Sequence, residues 1–169
     1  MFNSELADFL AHSIELEAEA RERYRELAES MAAHNNTEVA AFFEAMAVEA
    51  SKHLAEVEGM VGSMALPEFK PWEYNWPNSE APETASYEAL HYRMSLRQAM
   101  QLALENERAA ENYYRLVAET ARDDKTAALA REFAEEELSH SRALEKQIAT
   151  LGEEPEFRRE EDDAPNMPE

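Results

Sequence analysis

Five residues scattered along the chain, Glu17, His53, Glu107, Glu137 and His140, are of types that hold divalent metal ions. Each interrupts an apolar stripe of helical period near its middle. The stripes step by three and four residues, as one seam of a packed helix does. The first holds Leu6, Leu10, Ser13, Glu17, Ala20, Tyr24, Leu27 and Met31, and the second Val39, Phe43, Met46, Ala50, His53, Val57 and Met60. The third holds Leu96, Met100, Ala103, Glu107, Ala110, Tyr114 and Val117, and the fourth Ala130, Phe133, Glu137, His140, Leu144 and Leu151. If four such helices pack together, the polar interruptions meet at one depth. A bare carboxylate there costs roughly several kcal/mol unless a cation compensates it. Three carboxylates would also repel one another. Bound cations resolve both difficulties, and carboxylate with imidazole suits iron, manganese or zinc. Glu137 and His140, at i and i+3, stand about 60° apart around a helix and can serve one centre.

The competing account is that these are flank charges on a solvated bundle. With 37 acidic residues in 169, one seam glutamate per helix is expected by chance. Two of only five histidines at matching mid-helix positions are not, and this favours the metal.

The elements that must position these residues are legible. Only three glycines occur, there are no cysteines, and Met1–Leu66 and Thr84–Glu154 lack proline. Ala, Glu, Leu and Arg dominate both stretches, which predicts an all-α chain. Helices are expected at about Ser4–Ala33, Glu38–Gly62 and Ser95–Ala121, the third opened by a Ser95/Gln98 capping box, with a fourth capped by Asp123 or Asp124 and ending at Leu151. Short breaks join the first helix to the second and the third to the fourth, so each pair should be an antiparallel hairpin. A long crossover, 63–94, lets the second hairpin dock on the first. Residues 1–152 then form one bundle, with Gly152 closing its last helix. The crossover carries Trp72 and Trp76, expected to anchor it against the bundle. The tail, 153–169, is acidic, poor in large apolar residues and expected to be disordered.

The hairpins look like a repeat. At an offset of 90, Glu17, Tyr24 and Arg25 match Glu107, Tyr114 and Arg115; at an offset of 87, Ala47, Glu49, His53 and Glu58 match Ala134, Glu136, His140 and Glu145. Duplication of a helix pair is the simplest account.

With Glu-x-x-Ala-x-x-x-Tyr on helices one and three and AEEELSHSRALE on helix four, residues 5–150 resemble the rubrerythrin branch of the ferritin-like di-iron superfamily. The resemblance implies a ferritin-like four-helix bundle of two antiparallel pairs. It also implies metal ligation by Glu17, His53, Glu107, Glu137 and His140, and iron as the cofactor, two ions per chain, with one ion, zinc or manganese as alternatives. Two departures stand out. Where the family has a bridging glutamate three residues before the first histidine, this chain has Ala50. Glu49, about 40° from His53 around the helix, either bends inward as its substitute or is an ordinary surface charge; Glu56 and Glu111 are weaker candidates. There is also no rubredoxin-like segment, which the lack of cysteine forbids, so electrons are expected from a separate donor. The additional glutamate of some rubrerythrins falls at Ala110.

The activity so implied is oxidation of iron(II) by peroxide or dioxygen. The alternative is a non-catalytic metal-binding or assembly protein whose site is degenerate at Ala50; iron storage in a closed shell is a third option. Tyr24 and Tyr114, two turns beyond Glu17 and Glu107, either hydrogen-bond a ligand carboxylate on a neighbouring helix or are core tyrosines satisfied by backbone. His12, His34 and His91 are expected at the surface. A formal net charge of −21 argues against nucleic acid or anionic membrane as partners. MFNSELADFL lacks the basic and apolar regions of a signal peptide, and no apolar run could span a bilayer, so a cytoplasmic protein is expected. The expected assembly is a homodimer or higher homo-oligomer.

Overall fold

The computed structural model describes residues 4–69 and 92–151. Four helices run in chain order: α1 Ser4–Ala33, α2 Thr37–Val61, α3 Leu96–Thr120 and α4 Asp124–Leu151. No strand occurs among the described residues. The expected boundaries agree to within a residue or two. Trp72, Trp76, His91, Gly152 and the tail 153–169 lie outside the described residues.

Local chemistry sets the helix ends. Asn35 turns the chain between α1 and α2 with φ 64°, a left-handed conformation that asparagine tolerates. Gly62, at φ 57°, follows the last residue of α2. Ser95 and Gln98 form the reciprocal capping box at the start of α3. Asp123 accepts from the Thr126 backbone N–H at 2.8 Å and from its hydroxyl at 2.7 Å, opening α4. With only three residues between them, α1 and α2 must run antiparallel, and so must α3 and α4; these are the two closely packed pairs. The result is the ferritin-like bundle.

Two ties hold one hairpin to the other. The Asn36 amide, in the α1–α2 turn, donates to the carbonyls of Tyr92 and Met94 at 3.1 and 3.0 Å, just ahead of α3. Glu5, in the first turn of α1, accepts from the backbone N–H groups of Arg122 and Asp123 in the α3–α4 turn. Each turn is thus fastened to the beginning of the other hairpin's first helix.

The apolar core falls into two clusters. One gathers Tyr24, Leu27, Met31, Phe43, Met100 and Leu144; the other gathers Phe9, Leu16, Val57, Tyr114, Ala130 and Phe133. Each helix passes from one cluster to the other, and the change comes beside Glu17, His53, Glu107 and Glu137. These polar side chains are buried between the two, only 2–5 % exposed.

Three expectations about burial are corrected. His12 is buried, not at the surface: it donates from Nδ1 to the Asp8 carbonyl at 2.9 Å and meets the Phe69 ring edge-on. Its position beside the Phe9–Leu10–Ala11 run carries it inward, and burial pushes its pKa below the ordinary value. Met60 and Leu151, assigned to the seams, are 45 % and 41 % exposed, because each stands at the last turn of its helix, where the seam runs out. His34 is exposed as expected and stacks on Tyr92.

Replacing Asn36 with alanine removes both donors to the approach of α3 while leaving the helices intact. The expected loss is about 1–2 kcal/mol of folding stability, read as a shift of the urea midpoint at unchanged slope; an unchanged midpoint contradicts the role given to this tie.

Candidate metal centre

Three of the four helices contribute to a cluster around Glu17: His53 Nδ1 lies 2.8 Å from Glu17 Oε2 and 3.4 Å from Glu137 Oε2. A second cluster joins α3 and α4, with His140 Nδ1 3.2 Å from Glu107 Oε1 and 3.5 Å from Glu137 Oε1. Glu137 is common to both, presenting one oxygen to each. The ligating atoms of Glu17, His53 and Glu137, and those of Glu107, Glu137 and His140, lie within 4.8 Å of one another in each group, close enough to hold an ion. The five residues singled out by spacing are therefore brought together.

Helical geometry explains the convergence. Glu137 and His140 share a face of α4, and the other three come from one position on each remaining seam. The neighbours that let four backbones carry these long side chains inward are small: Ala20, Ala50, Ala103, Ala110 and Ala134 are all buried.

Electrostatics make the arrangement costly for the protein alone. Burial raises the pKa of Glu17, and Glu137 adds to the rise, against the opposing pull of His53. Burial, with Glu137 again, pushes Glu107 up to about 8 despite His140. Burial would raise Glu137 too, but His140 and His53 outweigh it and hold this carboxyl down at about 2. Burial lowers the basicity of His53, yet Glu137 and Glu17 overcome it and hold the imidazole up at about 11. Glu107 and Glu137 raise His140 to about 10 against its burial. Protons thus stand in as the positive charge. They do so imperfectly, since both ring nitrogens of His53 and Oε1 of Glu137 are buried without a properly directed hydrogen bond. A cation accepted by several lone pairs at once fits such atoms better than a proton on one line. The donor set of carboxylate and imidazole suits iron, manganese or zinc.

Tyr114 donates to Glu17 Oε2 across the two hairpins at 3.4 Å, so its phenol faces a carboxylate rather than backbone. Tyr24 is equally buried and stands in the wall of a cavity beside the cluster. That cavity, about 370 Å³, is lined by Glu17, His53, Glu107, Glu137 and His140 at one end, by Ala50, Phe42, Met46 and Leu144 along its length, and by Glu49 and Gln147 at its exposed side.

Glu49 is not brought into either group. Its carboxylate is exposed and 3.5 Å from Lys52. Glu111 pairs with Arg115 at 2.8 Å, away from both groups. Glu56 is exposed and stands near the outer side of His53 together with Glu136. Glu136 was missed by the sequence reading: its Oε1 lies 3.0 Å from His53 Nε2, an ion-pair contact on the far side of the ring from Nδ1, which faces the cluster. Its signal was the match of Glu136 to Glu49 at the offset of 87, the same offset that sets Glu137 against Ala50.

A ferritin-like bundle with paired carboxylate–histidine groups defines the class, and the comparisons place the chain within it. It belongs to the rubrerythrin family, whose sequence profile matches residues 8–102. It is similar to an uncharacterized conserved protein from Magnetospirillum magnetotacticum MS-1, at 36 % identity over 90 % of this chain and 98 % of the other, with a TM-score of 0.67. A hypothetical protein from Pyrococcus furiosus shares the fold at 22 % identity, covering 86 % of this chain and 89 % of the other, with a TM-score of 0.51. No curated protein matches the sequence. Among the described residues no helix is long and apolar enough to cross a membrane.

Any cation taken up must displace the protons on His53, His140 and Glu107. Zinc titrated at pH 7 into chelator-stripped protein should release about two to three protons per chain, and affinity should rise from pH 6 to pH 9. Calorimetry in buffers of different ionisation enthalpy reads the number; a value near zero contradicts this account of the site.

Proposed function

We propose that the protein is a di-iron carboxylate protein that oxidises iron(II) with hydrogen peroxide or dioxygen. The observation that carries this reading is Glu137: one buried carboxylate, charged at neutral pH, faces two separate glutamate–histidine pairs, the position of a ligand shared by two ions. Glu17 and His53 would hold one ion, Glu107 and His140 the other. When bound, two iron(II) ions supply the two electrons that, with two protons, cleave the O–O bond of hydrogen peroxide to two waters.

The chain's own residues keep that chemistry in place. Glu136 places a negative charge behind His53, and Tyr114 orients Glu17 from the opposite hairpin. The two apolar clusters exclude bulk water above and below. Of the five ligating groups, His140 alone has a side chain more than a third exposed, at 39 %, which makes its edge the approach for a small oxidant. Electrons that return the centre to iron(II) come from a separate donor, since the chain has no cysteine with which to build a rubredoxin-like site.

Ala50 favours a second reading, in which the chain binds a single metal without turnover. Its methyl group stands where a carboxylate would complete the set, and Glu49 points away to Lys52. On that reading Ala50→Glu raises metal content from one towards two per chain.

Anaerobic loading with iron(II) followed by a stoichiometric addition of peroxide tests the first reading. Two irons per chain and a near-ultraviolet charge-transfer band developing as peroxide is consumed are expected. Glu137→Gln should lower peroxide consumption at least tenfold and reduce iron content. Two irons with no spectral change and no loss of peroxide refute the activity.

A further inference from the structure

The cavity beside the carboxylates has a shape and an electrostatic requirement that the proposed redox role leaves unexplained. Ala50 is part of its lining. On α4 the corresponding position is Glu137, three residues before His140; on α2 the side chain three residues before His53 stops at Cβ. The space a glutamate would fill there runs outward between α2 and α4, past Phe42, Met46 and Leu144, to Glu49 and Gln147 at the surface. At roughly 30 Å³ for each water-sized group, 370 Å³ accommodates on the order of ten non-hydrogen atoms. The walls are apolar over most of that length, and the inner end is lined by the groups that would hold metal.

Charge decides what kind of molecule completes it. Two divalent ions bring +4, and the buried carboxylates of Glu17, Glu107 and Glu137 bring −3, with both imidazoles neutral once they ligate; Glu136, behind His53, is half exposed and its charge is screened by solvent. A net charge of +1 is left buried between two apolar clusters, and an uncompensated buried charge is expensive. A single monoanion brings the site to neutrality. Resting on the di-metal reading of the site, we propose that this cavity binds an aliphatic monocarboxylate of about six to eight carbons. Its head takes the ligand position vacated at Ala50 and its chain lies along Phe42, Met46 and Leu144. Specificity then has two parts. The carboxylate answers the metal charge, and the chain answers the apolar walls, each methylene adding about fourfold in affinity until the tail reaches the exposed edge.

The experiment uses the full chain loaded with zinc, which is redox-silent, and titrates it calorimetrically with acetate, hexanoate, octanoate and 1-octanol. Binding that strengthens from acetate to octanoate and is at least tenfold weaker for 1-octanol is expected. The metal-free chain offers the carboxylate head no ion to ligate and should bind octanoate at least tenfold more weakly. Ala50→Glu supplies the carboxylate from the backbone and fills the inner cavity, so it should keep two zinc ions and lose octanoate binding at least tenfold. Ala143→Trp, on the exposed stretch of the lining, alters a residue that offers no ligating atom. It should leave acetate binding unchanged while abolishing the gain from acetate to octanoate. Zinc saturating below two per chain overturns both the metal reading and this one. Full zinc loading overturns this inference alone if octanoate does not bind, if octanol binds as well as octanoate, or if octanoate affinity survives Ala50→Glu.

Discussion

Burying Glu137 in a charged form constrains everything else in the bundle. A carboxylate 2 % exposed, with an oxygen that accepts no hydrogen bond, is tolerable only while positive charge stands on both sides of it. His53 and His140 provide that charge from α2 and α4, and each is in turn held by a glutamate of the helix packed against its own. Small residues at the seam positions nearby follow from the same demand, since long polar side chains turned inward leave no room for large neighbours. The division of the core into two apolar clusters follows too. Neither cluster can extend through a layer of five ionisable groups, so each helix carries two short apolar stretches instead of one long one.

Much of this was written in the sequence because the determining features are local or periodic. Helix ends came from cap chemistry that acts over three residues, as at Ser95 and Asp123, and were read to within a residue or two. The five converging residues were found because polar interruptions of an apolar stripe are visible in one dimension. What escaped depends on side chains reaching across the bundle. Glu136 points to the back of His53 on another helix, and in the sequence it is one acid among 37. His12 looked like a surface residue because one isolated polar position does not reveal whether its ring lies over solvent or under Phe69. The ties made by Asn36 and Glu5 to distant backbone were equally illegible, since a carbonyl or an N–H has no identity in a sequence. The cavity needed both kinds of information: Ala50 flagged a missing carboxylate, but only packing could tell whether the space closes.

The asymmetry between the two halves is one that a single polypeptide permits. The first hairpin alone carries one glutamate–histidine pair and part of each apolar cluster, so a lone helix pair of that kind could complete a site only by embracing a copy of itself. In such a two-fold assembly every substitution appears twice: exchanging a bridging acid for alanine would strip both positions together and leave nothing to span the ions. Joining the halves into one polypeptide lifts that restriction. Position 50 can then shrink while position 137 keeps its acid, and a symmetric cage becomes one with a front and a back.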